Sequence, residues 1–480
     1  MSTAKAASQP KGKGNIKKIV LSVIGLAICL VLALMPPFAG LERNAMVCLA
    51  VLVGVIYFVT AKLVNEFLAG AIGLILLLIL QVGDFKTVFS GFSNTTFILL
   101  LGAFGMGGIL AQTGALSRVC NVIMAKFPQT YRGRVSALML SGMVVSPLIP
   151  SGSAKGIIMS LVSSSAGKQM GYKEKTRAAT GLFMAGWIPV GVIGVCFLSG
   201  CVSGPLLSGM VDAQYAGQFT WMSWFLNSLT FGIIMLIGSF IAINILYKPR
   251  PGDIDEVAKS EVAVSEPKKK EPMTRQQKLS LAVIALCLIL WIFGKALGLN
   301  DAWVAFTGFF LMILLGCADK KNVLNTCVPW GTLIFSAFVL SISACIGATG
   351  LDVWLTDVFG TVLVPLMGNI WVFIPVACAV IYLIRMVVIS QTLVTSTMFL
   401  MLMPVGIAAG IDPWIIGFIC STTICTWNVL PQSIPFLSAF GAADGYIDFN
   451  HCVKMSVFVM VWTIVALLAS VPVWSLMGLM

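Results

Sequence analysis

The chain has 480 residues, of which 59% are hydrophobic and 10% are charged, and its formal net charge is +12. Soluble domains carry about 25% charged residues, so this composition excludes a water-soluble enzyme and favours a membrane protein. The positive charge lies in short loops between apolar runs rather than on a basic face with stacking aromatic residues, which argues against a nucleic-acid partner.

Apolar runs of about 20 residues recur along the chain, and each is long enough to cross the core of a lipid bilayer as a helix. The first run follows a Lys-rich start, and no A-x-A-like cleavage site comes after it, so we interpret it as a membrane helix rather than a signal peptide. In chain order, the eleven predicted spans lie near 19–38, 44–62, 66–83, 96–114, 178–210, 226–247, 279–297, 302–318, 330–349, 412–440 and 454–478.

Two further apolar stretches, about 135–166 and 371–407, are interrupted near the middle by Pro, Gly, Ser or Gln. The loops that bound each stretch can lie on one side of the membrane, so we predict two re-entrant hairpins. Irregular backbone at membrane depth survives only where protein buries it or where it lines a wet cavity. The hairpin tips are therefore candidates for a functional site.

Lys and Arg accumulate on the cytoplasmic side of membrane proteins, so their distribution tests this topology. With a cytoplasmic N-terminus, 25 of the 30 Lys and Arg residues lie inside, and only Arg43, Lys86 and Lys295 lie outside. The remaining two, Lys155 and Arg385, lie within the hairpins. We therefore expect a multi-pass protein of the cell (inner) membrane with its N-terminus in the cytoplasm.

Three pairs of motifs occur in the same order in both halves of the chain, at offsets of 236, 239 and 230 positions. They are Thr113-Gly114 with Thr349-Gly350, Ser151 with Ser390, and Pro205 with Pro435. A duplicated unit of five spans and one hairpin would place the second copy upside-down relative to the first, as in many secondary transporters. The predicted organisation is 1–43 for the cytoplasmic N-terminus and first helix, 44–247 for the first inverted repeat, 248–278 for a charged cytoplasmic linker, and 279–480 for the second repeat.

Four predicted helix interruptions lie at 147–155, 199–205, 389–392 and 430–435. At the first, Ser151-Gly152-Ser153 places two hydroxyl groups at the start of a half-helix, where Ser151 or Ser153 would cap it. The amide groups and positive dipole end of a half-helix favour anions, and the hydroxyls can orient a carboxylate or help to coordinate a cation. The alternative is that these small residues serve helix packing in the membrane.

Lys155 and Arg385 are cations at membrane depth, where a charge costs about 3 kcal/mol on insertion scales. No Asp or Glu within a predicted span is an obvious partner for Lys155, so an anionic substrate is its natural counter-ion. The alternative is a Lys side chain that extends to the membrane surface. Arg385 lies five residues before Ser390 and would either contact substrate or anchor the second hairpin.

The second half repeats the hydroxyl-x-hydroxyl pattern at Ser390-Gln391-Thr392. The span near 412–440 is unusually rich in polar and helix-breaking residues, as is its counterpart in the first half. These residues are Asn428, Gln432, Ser433 and Pro435, with Ser203, Gly204 and Pro205 in the counterpart. Together they would form a site between the repeats near the membrane midplane. The alternative is a kinked helix whose polar groups satisfy one another.

Three motifs resemble those of the divalent anion/sodium symporter family, which carries di- and tricarboxylates and sulfate. They are Pro-Ser-Gly-Ser-Ala-Lys at 150–155, Trp-Gly-Thr-Leu at 330–333 and Ser-Gln-Thr at 390–392, and the first is similar to the motif of bacterial di- and tricarboxylate exchangers. The resemblance covers nearly the whole chain. It implies a scaffold domain and a mobile transport domain that moves as an elevator, usually in a homodimer. It also implies that a substrate carboxylate lies between the hairpin tips, lined by Ser151, Gly152, Ser153, Ser390, Gln391 and Thr392.

The chain departs from the family pattern at Gly152 and Gln391, which replace the asparagine of each motif. This loss argues against sodium coordination near Ser151, Ser153, Ser390 and Thr392, and we expect no cofactor. Lys155 would supply a built-in positive charge instead, which favours exchange of one organic dianion for another, such as succinate, citrate or tartrate. The alternative is a sodium- or proton-coupled symporter of carboxylates, sulfate or another oxyanion. No enzyme motif occurs, so we predict a carrier rather than an enzyme.

Overall fold

The computed structural model describes residues 11–255 and 272–480, and in these ranges the regular secondary structure is helical apart from one isolated bridge between Tyr172 and Ile254. The helices of the first range are α1 (Lys11–Leu34), α2 (Arg43–Thr60), α3 (Glu66–Ile79), α4 (Phe85–Val88), α5 (Ser90–Ser93), α6 (Thr95–Thr113), α7 (Ala115–Lys126), α8 (Tyr131–Val145), α9 (Gly152–Gln169), α10 (Arg177–Gly191), α11 (Ser203–Ser208) and α12 (Trp221–Leu246). Those of the second are α13 (Arg275–Leu297), α14 (Asp301–Leu314), α15 (Val323–Cys327), α16 (Trp330–Ala348), α17 (Leu351–Met367), α18 (Ile370–Val387), α19 (Gln391–Ala408), α20 (Pro413–Thr426), α21 (Ile434–Ala442) and α22 (Phe449–Leu476).

Ten helices of the described residues are long and apolar enough to cross a membrane. Two of them, α18 and α19, are the arms of the second predicted hairpin. Three of the eleven predicted spans coincide with shorter apolar helices, namely α3, α14 and α20. The prediction of an all-α, polytopic membrane protein is confirmed.

The first of two compact units contains α1–α5, α16 and the start of α17. Its centre is α16, which packs against α3 and α5. Gly91 in α5 lies so close to the α16 backbone that a Cβ atom would collide with the carbonyl of Ala337, and its N–H donates to Ser341 Oγ at 3.1 Å. Close approach of these two helices therefore depends on a residue without a side chain.

The second compact unit contains α6–α15, the end of α17 and α18–α22, and it holds both predicted hairpins. The first hairpin, α8 and α9, packs against α10, and the second hairpin, α18 and α19, packs against α20. The later arm of each hairpin also contacts a helix from the other half of the chain, so α9 packs on α21 and α19 packs on α11. Helices from the two halves of the chain therefore pack against each other within this unit.

The same order of elements occurs twice, in α6–α12 and in α16–α22. In each copy, a helix ends at a glycine in the left-handed conformation, Gly114 with φ of 67° and Gly350 with φ of 69°. A further helix, a hairpin, an interrupted helix and a long helix follow in both copies. The helices that come directly after the two glycines, α7 and α17, were not predicted from the sequence.

The linker predicted at 248–278 is only partly within the described residues. At its start, Lys173 N donates to Asp253 O and Asp255 N donates to Gly171 O, both at 2.8 Å, so these residues pair with the loop after α9. At its end, α13 begins at Arg275. Residues 256–271 lie outside the described ranges.

Candidate functional site at the hairpin tips and helix breaks

The tip of the first hairpin is a short 3-10 turn, Ser146–Leu148, followed by extended backbone. Pro147 and Pro150 prevent the α-helix from continuing, because proline lacks the N–H of the helical hydrogen bond and clashes with the preceding turn. Helix α9 then begins, and Ser151 Oγ accepts a hydrogen bond from Ala154 N at 3.3 Å. Ser151 is thus the N-cap of the half-helix.

The tip of the second hairpin is shorter and contains no proline. Helix α18 ends at Val387, and Ser390 caps α19 by accepting from Leu393 N at 3.1 Å. Both later arms are 18 residues long and both begin after a capping serine. The two tips therefore present the N-terminus of a half-helix in the same way.

The second hydroxyl of each triplet behaves differently from the first. Ser153 and Thr392 are part-exposed, and within the described chain their side-chain hydroxyls have no hydrogen-bond partner. Each lies in the first turn of its half-helix, one residue inside the helix start. One hydroxyl of each triplet thus caps the helix while the other is available to a ligand.

The first helix break begins earlier than predicted. Helix α10 ends at Gly191, two 3-10 turns follow at Ile193–Cys196 and Leu198–Gly200, and α11 resumes at Ser203. Ser203, Gly204 and Pro205 therefore lie in the first turn of α11 rather than in the interruption, because proline is tolerated in the first turn of a helix. Ser203 Oγ lies 3.0 Å from Cys201 Sγ.

The second break separates α20 from α21 at residues 427–433, and Pro435 is in the first turn of α21. Asn428 is 2% exposed and its side-chain N–H donates to Cys425 O at 3.2 Å. The amide oxygens Asn428 Oδ1 and Gln432 Oε1 are buried, and neither has a hydrogen-bond partner in the described chain. These two oxygens are unsatisfied acceptors at the break.

Both hairpin tips meet at the second break. Gln391 Nε2 donates to Ser433 Oγ at 3.3 Å, which joins the second tip to the break. Two residues later, Pro435 packs on the first tip, where a Cβ atom on Gly152 would lie 3.1 Å from Pro435 Cβ. Residues separated by more than 280 positions are thus in contact, and each predicted triplet has one residue that contacts the second break.

Lys155, the cation that we expected to meet an anionic substrate, is hydrogen-bonded to the first break. Its side chain is 1% exposed, and Nζ donates to the carbonyl of Gly200 between the two interrupted segments. Gly194 gives it room, because a Cβ atom there would lie 2.7 Å from Lys155 Nζ. Ser199 Oγ also donates to Pro147 O at 2.7 Å, so two contacts hold the first break against the first tip.

Arg385 holds the second tip. Its side chain is fully buried, and Nη1 donates to Val388 O at 2.9 Å and to Ile389 O, the carbonyls that follow the end of α18. The guanidinium lies over the ring of Trp427 with its carbon 5.3 Å from the ring centroid. Nε and Nη2 have no hydrogen-bond partner among the described residues, so the group combines an anchoring role with unused donors.

Sequence reasoning missed Gly194 and Trp427 at this site, and it placed Ser199 and Gly200 in the predicted interruption at 199–205 without assigning them a contact. Gly200 contributes a backbone carbonyl, and Gly194 contributes space for the Lys155 ammonium. Neither role can be recognised in a sequence rich in glycine. Trp427 had a usable signal, since it directly precedes the polar residues of the second break.

Paired helical hairpins, two interrupted helices and polar groups at their junction are typical of membrane carriers of the secondary-transporter class. The comparisons with known proteins identify the family. Residues 16–480 match the sodium:sulfate symporter transmembrane region. The chain belongs to this family, the divalent anion/sodium symporters that its motifs resemble, and it is a transporter rather than an enzyme.

Individual relatives have low sequence identity to this chain. The inner membrane protein YbhI of Escherichia coli is 28% identical over 72% of this chain and 74% of its own length. The L-tartrate/succinate antiporter of Escherichia coli is 25% identical over 80% of this chain and 82% of its own. A chloroplastic dicarboxylate transporter of Spinacia oleracea is 24% identical over 73% of this chain and 61% of its own.

The fold is also found in a solved structure. The YdaH transporter of Alcanivorax borkumensis, described as having an unusual topology, superimposes with a TM-score of 0.58 at 13% identity. The match covers 97% of this chain and 98% of that one. This similarity shows a shared fold.

Proposed function

We propose that the chain is a secondary transporter of small organic dianions, di- or tricarboxylates such as succinate, citrate or tartrate, and that it works by anion exchange. The observation that carries this proposal is the meeting of both hairpin tips at the second break, beside two buried cations. In the described ranges, the buried charged side chains are Arg134, Lys155 and Arg385, and all three are basic. Of these, Lys155 and Arg385 lie at the tips and breaks, where their charge favours an anion.

The backbone at the tips supports a carboxylate substrate. Helices α9 and α19 both begin there, and the N-terminal end of a helix carries about half a positive charge together with free N–H groups. Ser153 and Thr392 add hydroxyl donors without a protein partner in the described chain. Donors at two tips suit a molecule with a carboxylate at each end, and relatives named for tartrate, succinate and dicarboxylate fit the same class.

Lys155 supports exchange rather than net uptake. Its ammonium is buried and tied to Gly200, so it stays with the site whether or not substrate is bound. An uncompensated cation at membrane depth is costly, and an anion lowers that cost. With Arg385, the empty site would carry two positive charges across the membrane, whereas a bound dianion neutralises both. The carrier would therefore return only with a second anion.

A second candidate function is sodium-coupled symport, and one observation favours it. Asn428 Oδ1 and Gln432 Oε1 are buried amide oxygens without a partner in the described chain. Carbonyl oxygens near unwound helix segments coordinate sodium in secondary transporters. The capping serines are less suited to this task, since Ser151 and Ser390 already accept backbone N–H groups.

The elevator movement and the homodimer that the family resemblance implies, and the inner-membrane location expected from the sequence, form part of this proposal. The N-terminus would be cytoplasmic. The interrupted helices and hairpins would move together as the transport domain, because the contacts of Lys155, Arg385 and Gln391 tie each tip to a break.

Purified protein in liposomes tests the proposal. Uptake of labelled succinate, citrate, tartrate and sulfate is measured with and without the same anion inside, and with and without sodium. We expect uptake of a dicarboxylate that requires an internal anion and is unchanged when sodium is replaced by potassium or choline. Sodium-dependent uptake into anion-free liposomes would instead support symport through the amide oxygens.

A Lys155→Gln variant tests the role assigned to the buried charge. Glutamine keeps a donor near Gly200 O but removes the charge, so we expect dianion exchange to fall at least about tenfold, equivalent to about 1.4 kcal/mol. Lys168→Gln is the matched control, because Lys168 is an exposed residue at the other end of the same helix. Equal transport by both variants would leave Lys155 as a structural anchor only.

A further inference from the structure

A separate cavity lies away from the hairpin tips. It has a volume of about 280 Å³ and is bounded by the start of α6, the start of α12, the end of α13 and the start of α14. Trp291 and Phe219 form apolar walls, each 2% exposed, and Thr95 and Asn300 add polar groups. This volume lies just below the range of about 300–1,000 Å³ for ligand pockets, so the cavity suits a head group rather than a large ligand.

The cavity is lined by one residue of each charge, Lys295 and Asp301. Asp301 Oδ2 accepts from Trp221 N at 2.7 Å, while no described group bonds to Oδ1. Lys295 is exposed, and its ammonium has no hydrogen bond or ion pair within the described chain. The two charges are therefore not paired with each other, and each is free to meet a ligand group of opposite sign.

These charges select a class of ligand. A simple anion would be repelled by Asp301, and a simple cation would be repelled by Lys295. A zwitterion satisfies both, with its cation at Asp301 and its anion at Lys295. The carboxylate can accept a hydrogen bond from a primary ammonium, which a quaternary ammonium cannot donate.

The rim of the cavity indicates where the ligand comes from. Phe293, Leu297, Leu299 and Trp303 surround the turn between α13 and α14, and they are 55%, 59%, 42% and 61% exposed. Apolar and aromatic side chains of this kind, beside a Lys at a helix end, are typical of residues that meet lipid at the membrane interface. A lipid bound here can keep its acyl chains on the apolar rim while its head group enters the cavity.

We propose that this cavity binds the head group of a zwitterionic phospholipid with a primary amine, phosphatidylethanolamine. Its ammonium donates to Asp301 Oδ1 and its phosphate lies at Lys295. The site is distinct from the hairpin tips and from the proposed transport function.

Native mass spectrometry of the full chain tests this proposal. The protein is delipidated in detergent and titrated with phosphatidylethanolamine, phosphatidylcholine or phosphatidylglycerol of identical acyl chains. We expect a first adduct that favours phosphatidylethanolamine about tenfold over both others, and about tenfold weaker binding in Asp301→Asn and Lys295→Gln. Asparagine keeps an oxygen for Trp221 N, and Lys295 is exposed, so both variants should fold. Lys86→Gln and Asp357→Asn are exposed charge-matched controls and should bind as the parent protein does.

The same head group occurs in a lipid and in a water-soluble compound. Glycerophosphoethanolamine, which has the head group but no acyl chains, distinguishes these two sources. Under the proposal it competes with the lipid only weakly, because it lacks acyl chains for the apolar rim. Binding of the soluble compound without a lipid adduct would overturn the lipid assignment. Equal binding of all three lipids, or unchanged selectivity in both pocket variants, would overturn the site itself.

Discussion

The two hydroxyl-x-hydroxyl triplets place chemically similar side chains in different roles two residues apart. Ser151 and Ser390 accept a backbone N–H and fix the start of a half-helix. Ser153 and Thr392 face no protein partner in the described chain. Capping serines contribute to stability, whereas free hydroxyls at a helix N-terminus contribute to binding.

This division predicts separable effects of single substitutions. Ser153→Ala and Thr392→Val should each raise the KM for the transported dianion about tenfold, because a hydrogen bond to a charged group contributes about 1.5–3 kcal/mol. Ser151→Ala should lower unfolding stability by about 1 kcal/mol through loss of the cap. Liposome transport and thermal unfolding measure the two effects. If Ser153→Ala destabilised the protein as Ser151→Ala does and left KM unchanged, the assignment would be wrong.

Lys155 shows how far residue-level prediction reaches. A charge among apolar residues is visible in the sequence, and its burial at the site was expected. Its hydrogen bond to Gly200 O was not predicted, because Gly200 lies 45 positions away and every residue has a carbonyl that can accept. Only the folded chain shows which carbonyl is exposed by a helix break. The same holds for Arg385, for which sequence reasoning left the choice between anchor and substrate contact open.

At the scale of elements, contact between the first hairpin and α21 depends on small residues. A Cβ atom on Gly152 would lie 3.1 Å from Pro435 Cβ, and one on Gly156 would lie 3.1 Å from Ala439 Cβ. Contacts at this distance are closer than ordinary packing, so either helix must shift when a methyl group is added. The position of the first tip relative to the second break therefore depends on these glycines.

Gly152→Ala should displace the first tip from Pro435 and slow transport about tenfold, with a smaller change in thermal stability. Gly441→Ala is the matched control, since Gly441 lies in α21 itself and has no heavy atom near the position of a Cβ atom. The control should be neutral or slightly stabilising, because alanine favours a helix by about 1 kcal/mol over glycine. Parallel loss of activity in both variants would show that helix propensity in this region, rather than contact with Pro435, is responsible.

The sequence predicted the apolar helices from their composition, and it predicted both hairpins from the Pro, Gly, Ser or Gln residues that interrupt an apolar stretch near its middle. Helices α7 and α17 were missed, since the first is amphipathic and carries Arg118 and Lys126, and the second contains Asp352, Asp357 and Pro365. The pairing of α9 with α21 and of α19 with α11 joins opposite halves of the chain. Residue spacing carries no information on such long-range packing, so this part of the site required the structure.

At the scale of the whole molecule, the distribution of basic residues predicts an orientation in the membrane. Lys168, Lys173, Lys320 and Lys321, which are expected to be cytoplasmic, are all exposed, and so are Lys86 and Lys295, which are expected on the other side. Positive charge near helix ends resists transfer across the membrane during insertion, which is why the richer side stays inside.

Single cysteines at Lys168, Lys320, Lys86 and Lys295 test this orientation in a background where the part-exposed Cys29, Cys201 and Cys425 are replaced by alanine. A membrane-impermeant maleimide added to intact cells should label positions 86 and 295 and should reach 168 and 320 only after permeabilisation. The reverse labelling pattern would show that the topology is opposite to the predicted one, with the Lys295 cavity in the cytoplasmic leaflet. The expected pattern instead makes that cavity a site for lipid of the outer leaflet, because Lys295 and Asp301 flank the same turn between α13 and α14.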